Sequence, residues 1–128
     1  MVSKLITYTF IKEEESLEKS WKEEFFELEN ICKEKGAIPG EIKKSFTGIG
    51  GASGTVTEKH EISRAYSLNG SLIKNYVFSF GNEITKKTEI FSNGSFNKET
   101  LDKFRELYCS EPKVEEADFE RMYDFESF

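Results

Sequence analysis

The stretch TVTEKHEISRAYSLNGSLIKNYVFSFGNEITKKTEIFS, Thr55 to Ser92, decides how the rest of the chain must be arranged. Apolar and polar residues alternate along it, and two pairs, Asn69-Gly70 and Gly81-Asn82, interrupt the alternation. Both pairs accept positive φ at small steric cost, so each can close a two-residue hairpin, and the stretch reads as a three-stranded antiparallel meander. The turns also set the register. With Asn69-Gly70 as the first turn, Leu68 faces Ser71, Tyr66 faces Ile73, Ile62 faces Val77 and His60 faces Ser79. With Gly81-Asn82 as the second, Ser79 faces Ile84, Lys74 faces Glu89 and Ile73 faces Ile90. A slip of one residue would turn every side chain to the opposite face.

This register sorts the meander into two faces. One carries Val56, Ile62, Tyr66, Leu68, Ile73, Val77, Ile84 and Ile90 and is the natural core face. The other mixes Leu72, Tyr76, Phe78, Phe80 and Phe91 with Lys59, Glu61, Ser63, Lys74, Lys87 and Glu89. Such a run of aromatics needs a cover, and the expected one is the second helix or the C-terminal segment.

Working outward, Leu5 to Ile11 is rich in β-branched and aromatic residues and is expected as a further strand of the same sheet. Ser16 can cap a helix lasting to about Lys35, with Gly36 as its stop. Leu17, Trp21, Phe25, Leu28 and Cys32 recur at helical spacing and form the stripe that would cover the core face, leaving Glu23, Glu27 and Glu34 in water. Gly36 to Gly54 reads as irregular. Its glycines do not form a phosphate loop, because the dinucleotide spacing fails at Ser53, no Gly-Lys-Ser/Thr follows, and the next residues alternate as a strand. Asn97 can cap a second helix through about Tyr108, with Leu101, Phe104 and Tyr108 on one side and Pro112 beyond its end. The expected architecture is a single α+β domain built on an antiparallel sheet (strand, helix, three-stranded meander, helix) over residues 1–110. An acidic amphipathic tail over 111–128 follows, either a docked helix or a disordered segment.

A chain of 128 residues is long enough for one core without a staple. No apolar run approaches the ~20 residues that span a bilayer, and the first ten residues lack a signal-peptide layout, so no membrane and a cytoplasmic location are expected. Cys32 and Cys109 read as free thiols of a reducing compartment. The net charge of −6 is unevenly divided. Residues 1–34 hold five basic and nine acidic groups, 35–110 eleven and eight, and 111–128 two and seven, giving −4, +3 and −5. Acidic ends repel a phosphate backbone and favour a basic partner.

One histidine and two distant cysteines exclude a zinc-finger type of metal site, and no cofactor is expected. Glu58, His60 and Arg64 share one parity with Tyr66, a set like the one barnase-type ribonucleases use as base, acid and phosphate-binding cation. The same parity carries the core isoleucines, so the set should lie under the first helix or at its margin. Tyr76, Phe78 and Phe80 with nearby lysines loosely resemble a sheet that stacks single-stranded bases, although the glycine-containing aromatic motif of RNA-recognition domains is absent and the strand order differs. By elimination and charge, the function expected is an acidic protein-binding module that inhibits a basic partner. An immunity protein or antitoxin neutralising a cationic, nuclease-type toxin by occlusion is its concrete form. A secretion chaperone, a single-strand binder and a metal-independent ribonuclease using His60 are the alternatives. Candidate partner-binding residues are Glu23, Glu27, Tyr76, Phe78, Asp118, Phe119, Glu120, Tyr123 and Asp124.

Overall fold

A computed structural model describes residues 4–15, 20–50, 54, 56–94 and 96–118. In chain order the elements are β1 (Lys4–Glu15), α1 (Trp21–Glu34), β2 (Ile38–Pro39), β3 (Lys43–Gly50), β4 (Val56–Leu68), β5 (Ser71–Phe80), β6 (Glu83–Asn93), α2 (Lys98–Tyr108) and β7 (Lys113–Asp118). All seven strands join one antiparallel sheet in the order β2-β4-β5-β6-β1-β7, with β3 lying beside β2 along the outer edge of β4. Strands β4 to β6 pair in the register the two turns require: Ile62 opposite Val77, Tyr66 opposite Ile73, Ile73 opposite Ile90 and Lys74 opposite Glu89. Asn69 and Gly70 both take positive φ (47° and 82°), as a type I′ hairpin needs. At the second turn only Gly81 does, at 60°, which is the type II′ pattern.

Both helices lie on the isoleucine-bearing face. Phe25, Leu28, Ile31 and Cys32 of α1 and Leu101, Phe104 and Tyr108 of α2 join Ile62, Tyr66, Ile73, Val77, Ile84 and Ile90 in one buried cluster, and Phe10 of β1 stacks on Tyr108 with ring centroids 5.3 Å apart. Full burial of each large apolar side chain is worth about 2 to 3 kcal/mol. Helix α2 therefore does not cover Tyr76, Phe78 and Phe80. Its apolar stripe has the larger store of matching surface on the isoleucine face, beside α1, and the aromatic face carries no helix among the described residues.

Four further expectations are corrected. Ser20, not Ser16, caps α1, its hydroxyl accepting from the Glu23 N–H at 3.3 Å, and Leu17 lies outside the described residues. Strand β1 runs on through Glu13, Glu14 and Glu15, because β6 supplies a hydrogen-bonding edge as far as Glu83 and pairing overrides the weak strand propensity of glutamate. The stretch 36–54 is not irregular: β2 and β3 fall within it, since the outer edge of β4 offers unpaired amides and carbonyls over most of its length. Gly40 is where that chain comes closest, its N–H donating to the Ala65 carbonyl at 2.7 Å, and a Cβ there would stand 3.1 Å from that oxygen. Residues 113–118 of the expected tail form the opposite edge strand, paired with β1.

Candidate functional site

Beneath α1 the core contains charge. The Lys86 Nζ donates to the Glu24 carboxylate at 2.9 Å, with the two side chains 5% and 2% exposed, and the ammonium lies 5.4 Å from the centre of the Tyr108 ring. A directed chain of hydrogen bonds runs alongside. The Tyr108 hydroxyl meets Thr88 Oγ1 at 2.7 Å, Thr88 donates to the Asn75 side-chain carbonyl at 2.8 Å, and the Asn75 amide donates to the Leu28 carbonyl and toward Cys32 Sγ. Since Thr88 donates onward, Tyr108 is the donor to it. Burial pushes the Cys32 thiol up to about 12, and lifts the Tyr66 and Tyr108 phenols well above their ordinary value. Glu24, Lys86, Thr88, Asn75, Cys32 and Tyr108 are sealed and paired, which suits them to fixing α1 on the sheet and not to meeting a ligand, whereas the Tyr66 hydroxyl is buried with no hydrogen-bond partner among the described residues.

The Glu58–His60–Arg64 set does not assemble into one centre. His60 is held between Trp21 and Phe46, its ring 4.7 Å from one and 4.8 Å from the other, with Nε2 3.2 Å from the Glu58 carboxylate. Arg64 is turned away from that pair: its Nε donates to the Gly40 carbonyl at 3.0 Å and its Nη1 to Glu29 at 3.2 Å, and Glu29 also receives Lys33. The histidine thus sits at the margin of α1, as its parity predicts, and works as a packing piece that ties the start of the helix and edge strand β3 to β4.

The face away from the helices carries no covering element among the described residues. Leu72, Tyr76, Phe78 and Phe80 run down β5, third of the six strands across the sheet, with Phe91 of β6 and Ile11 of β1 beside them. Phe80, Leu72 and Ile11 are 38%, 40% and 56% exposed, and Tyr76 and Phe78 are half-buried. Lysines occur here, Lys59 standing 5.2 Å over the Phe80 ring. Glu13, Glu15, Glu61 and Glu83 stand on the same face, and none of the four has a basic side chain within 4.0 Å among the described residues. Carboxylates set directly beside the rings repel a phosphate chain, so this face is poorly built for single-stranded nucleic acid.

On the opposite side of the molecule a groove of about 440 Å³ runs between α1 and α2. Glu27, Asn30, Ile31 and Glu34 line it from α1, and Lys103, Glu106 and Leu107 from α2. Ile31 and Leu107 make an apolar floor, with three carboxylates and one ammonium above it. Glu23 is exposed on the first turn of α1, and Phe26, 58% exposed, projects nearby. The predicted partner-binding residues therefore divide. Glu23 and Glu27 belong to the helical side, Tyr76 and Phe78 to the open sheet face, and Asp118 ends β7 opposite Lys4. Phe119, Glu120, Tyr123 and Asp124 lie outside the described residues.

The α2 half of the groove escapes a reading of the sequence, although Lys103, Glu106 and Leu107 recur at the i, i+3, i+4 spacing that defines a helix side. What the spacing does not contain is that this side lies against Glu27 and Glu34. Among the described residues no group of three or more His, Cys, Asp or Glu side chains is placed to hold a metal ion, and no helix is long and apolar enough to cross a membrane. No protein-family model and no curated protein matches the chain.

Proposed function

We propose that the protein is a small acidic binding module that recognises a basic protein through the groove between α1 and α2 and inhibits it by occlusion. An immunity protein or antitoxin that neutralises a cationic, nuclease-type toxin is the concrete form of this reading. The observation that carries it is the composition of the groove among the described residues: Glu27, Glu34 and Glu106 beside Lys103, over a floor of Ile31 and Leu107. Lysine and arginine present apolar stems and charged heads, so a basic segment can lay its stems along Ile31 and Leu107 while its heads meet the carboxylates. Against a nuclease cleft, these carboxylates take the place of substrate phosphates, and Phe26 supplies an apolar contact at the rim. The acidic ends of the chain add attraction at longer range, and opposite charge raises association rates by about ten- to a thousand-fold at low salt.

The test is capture from the source cell with the full chain, identification of what is retained, and measurement of its association rate over a range of salt. The retained protein should be basic. The variant Glu27→Gln/Glu34→Gln/Glu106→Gln should associate several-fold more slowly, with a flatter salt dependence and little change in thermal stability. Retention of an acidic protein, or an association rate that the three changes leave untouched, would overturn the reading.

A further inference from the structure

We infer that the open sheet face is the contact between two copies of this chain, which pack sheet on sheet with their helices outward. The face spans β3, β4, β5, β6 and β1, about 24 Å across at about 4.8 Å per strand. From the level of Leu72 to that of Phe80 it is about 27 Å long at about 3.4 Å per residue. The flat footprint is then about 650 Å², before the relief of the side chains is counted, which is close to the ~800 Å² per partner of a stable specific interface. An apolar spine of this length along an inner strand of the sheet is more than a solvated face needs. Packing against an identical sheet about 10 Å away would bury it as an ordinary β-sandwich core is buried.

The register supplies the reason for choosing a second copy over another occupant. One row of the face reads Lys59, Phe80, Glu83, from β4 through β5 to β6. A twofold axis lying along β5 in the interface exchanges the two flanks. It sets Phe80, Phe78 and Tyr76 against the same residues of the second copy and brings each Glu83 opposite Lys59 of that copy. Neither Lys59 nor Glu83 has an ion-pair partner within its own chain among the described residues, so both are available for two symmetric cross-pairs. Glu61 on β4 meets the position of Thr85 on the second copy, which places no like charge against it. Lys74 alone would approach its own copy, and Glu89 stands opposite it on β6, an adjacent carboxylate toward which its ammonium can turn. In this dimer the α1–α2 groove of each copy stays on the outside, so the arrangement is independent of what the groove binds.

Sedimentation velocity on the full chain at tens of micromolar tests the inference. The expected species has twice the 14.8 kDa chain mass. Phe78→Glu should convert it to a monomer that keeps the wild-type circular dichroism spectrum. Because Phe78→Glu could also disturb folding, a charge exchange outside the core provides the second test. Glu83→Lys or Lys59→Glu alone should weaken the dimer at least several-fold, and the two together should restore it. A monomer for the wild-type chain overturns the inference and leaves the face to another cover, residues 119–128 of the same chain included. A dimer indifferent to both Phe78→Glu and the charge reversals overturns it as well, since the contact would then lie elsewhere.

Discussion

Replacing Lys86 by Met should be among the most damaging single changes that can be made to this protein, and undoing the damage should require removing a second charge. Lys86 sits 2.9 Å from Glu24 with both side chains almost wholly withdrawn from water. The Met side chain fills nearly the same volume, so no large cavity forms. What remains is a carboxylate 2% exposed with its cation gone. Loss of one member of a buried pair costs about 3 to 5 kcal/mol, because the survivor keeps its desolvation cost without the compensating attraction. For a chain of this length one kcal/mol moves the melting temperature by roughly 3 to 5 °C, so Lys86→Met should melt about 10 to 20 °C below wild type. Glu24→Leu should cost somewhat less, since Lys86 keeps the face of the Tyr108 ring. The double variant Glu24→Leu/Lys86→Met has no buried charge and should lie within about 1 kcal/mol of wild type or above it. Urea unfolding followed by circular dichroism measures all four proteins, at one fixed protein concentration so that association does not enter the comparison. If Lys86→Met costs under about 1 kcal/mol, or the double variant is no better than the sum of the singles, the pair is not the isolated buried charge its geometry indicates.

Three further outcomes follow from the same packing. His60→Ala should leave partner binding unchanged and lower stability by about 1 to 2 kcal/mol, the loss of a ring held between Trp21 and Phe46; RNA cleavage that disappears in this variant would establish a catalytic role instead. A thiol reagent should titrate one cysteine, Cys109, in the native protein and two after unfolding, because Cys32 is fully buried with its thiol pushed up to about 12. The unfolded chain gives up that proton near pH 9 and the folded chain holds it, so stability should fall as pH rises from about 9 toward 12, by up to about 1.4 kcal/mol per pH unit for this group. The raised phenols of Tyr66 and Tyr108 steepen the loss above pH 10, and a flat stability profile across this range would show that these groups are solvated.

Local chemistry was enough to specify the centre of the sheet. Asn69-Gly70 and Gly81-Asn82 allow two hairpins of fixed loop length, and a period of two admits only one register that keeps Ile62, Ile73, Val77 and Ile90 together. The second helix was equally readable, from its Asn97 cap to Tyr108. The buried ion pair was not read from the sequence, although its two positions fit the core pattern. Glu24 lies four residues before Leu28 on the core side of α1, and Lys86 shares the parity of Ile84 and Ile90; that the two charges meet is decided by how α1 docks on the sheet.

What the sequence could not express was competition between distant surfaces. Propensity left 36–54 irregular, yet the free edge of β4 drew β2 and β3 out of it, and β6 carried β1 through three consecutive glutamates. The stripe of α2 could have covered either face of the meander, and it was the isoleucine face, already begun by α1 and by Phe10, that offered more apolar area to bury. That choice separated Glu23 and Glu27 from Tyr76 and Phe78 by the thickness of the sheet. Amphipathic periodicity says that a face must be covered; which element covers it is settled only when all the faces are present at once.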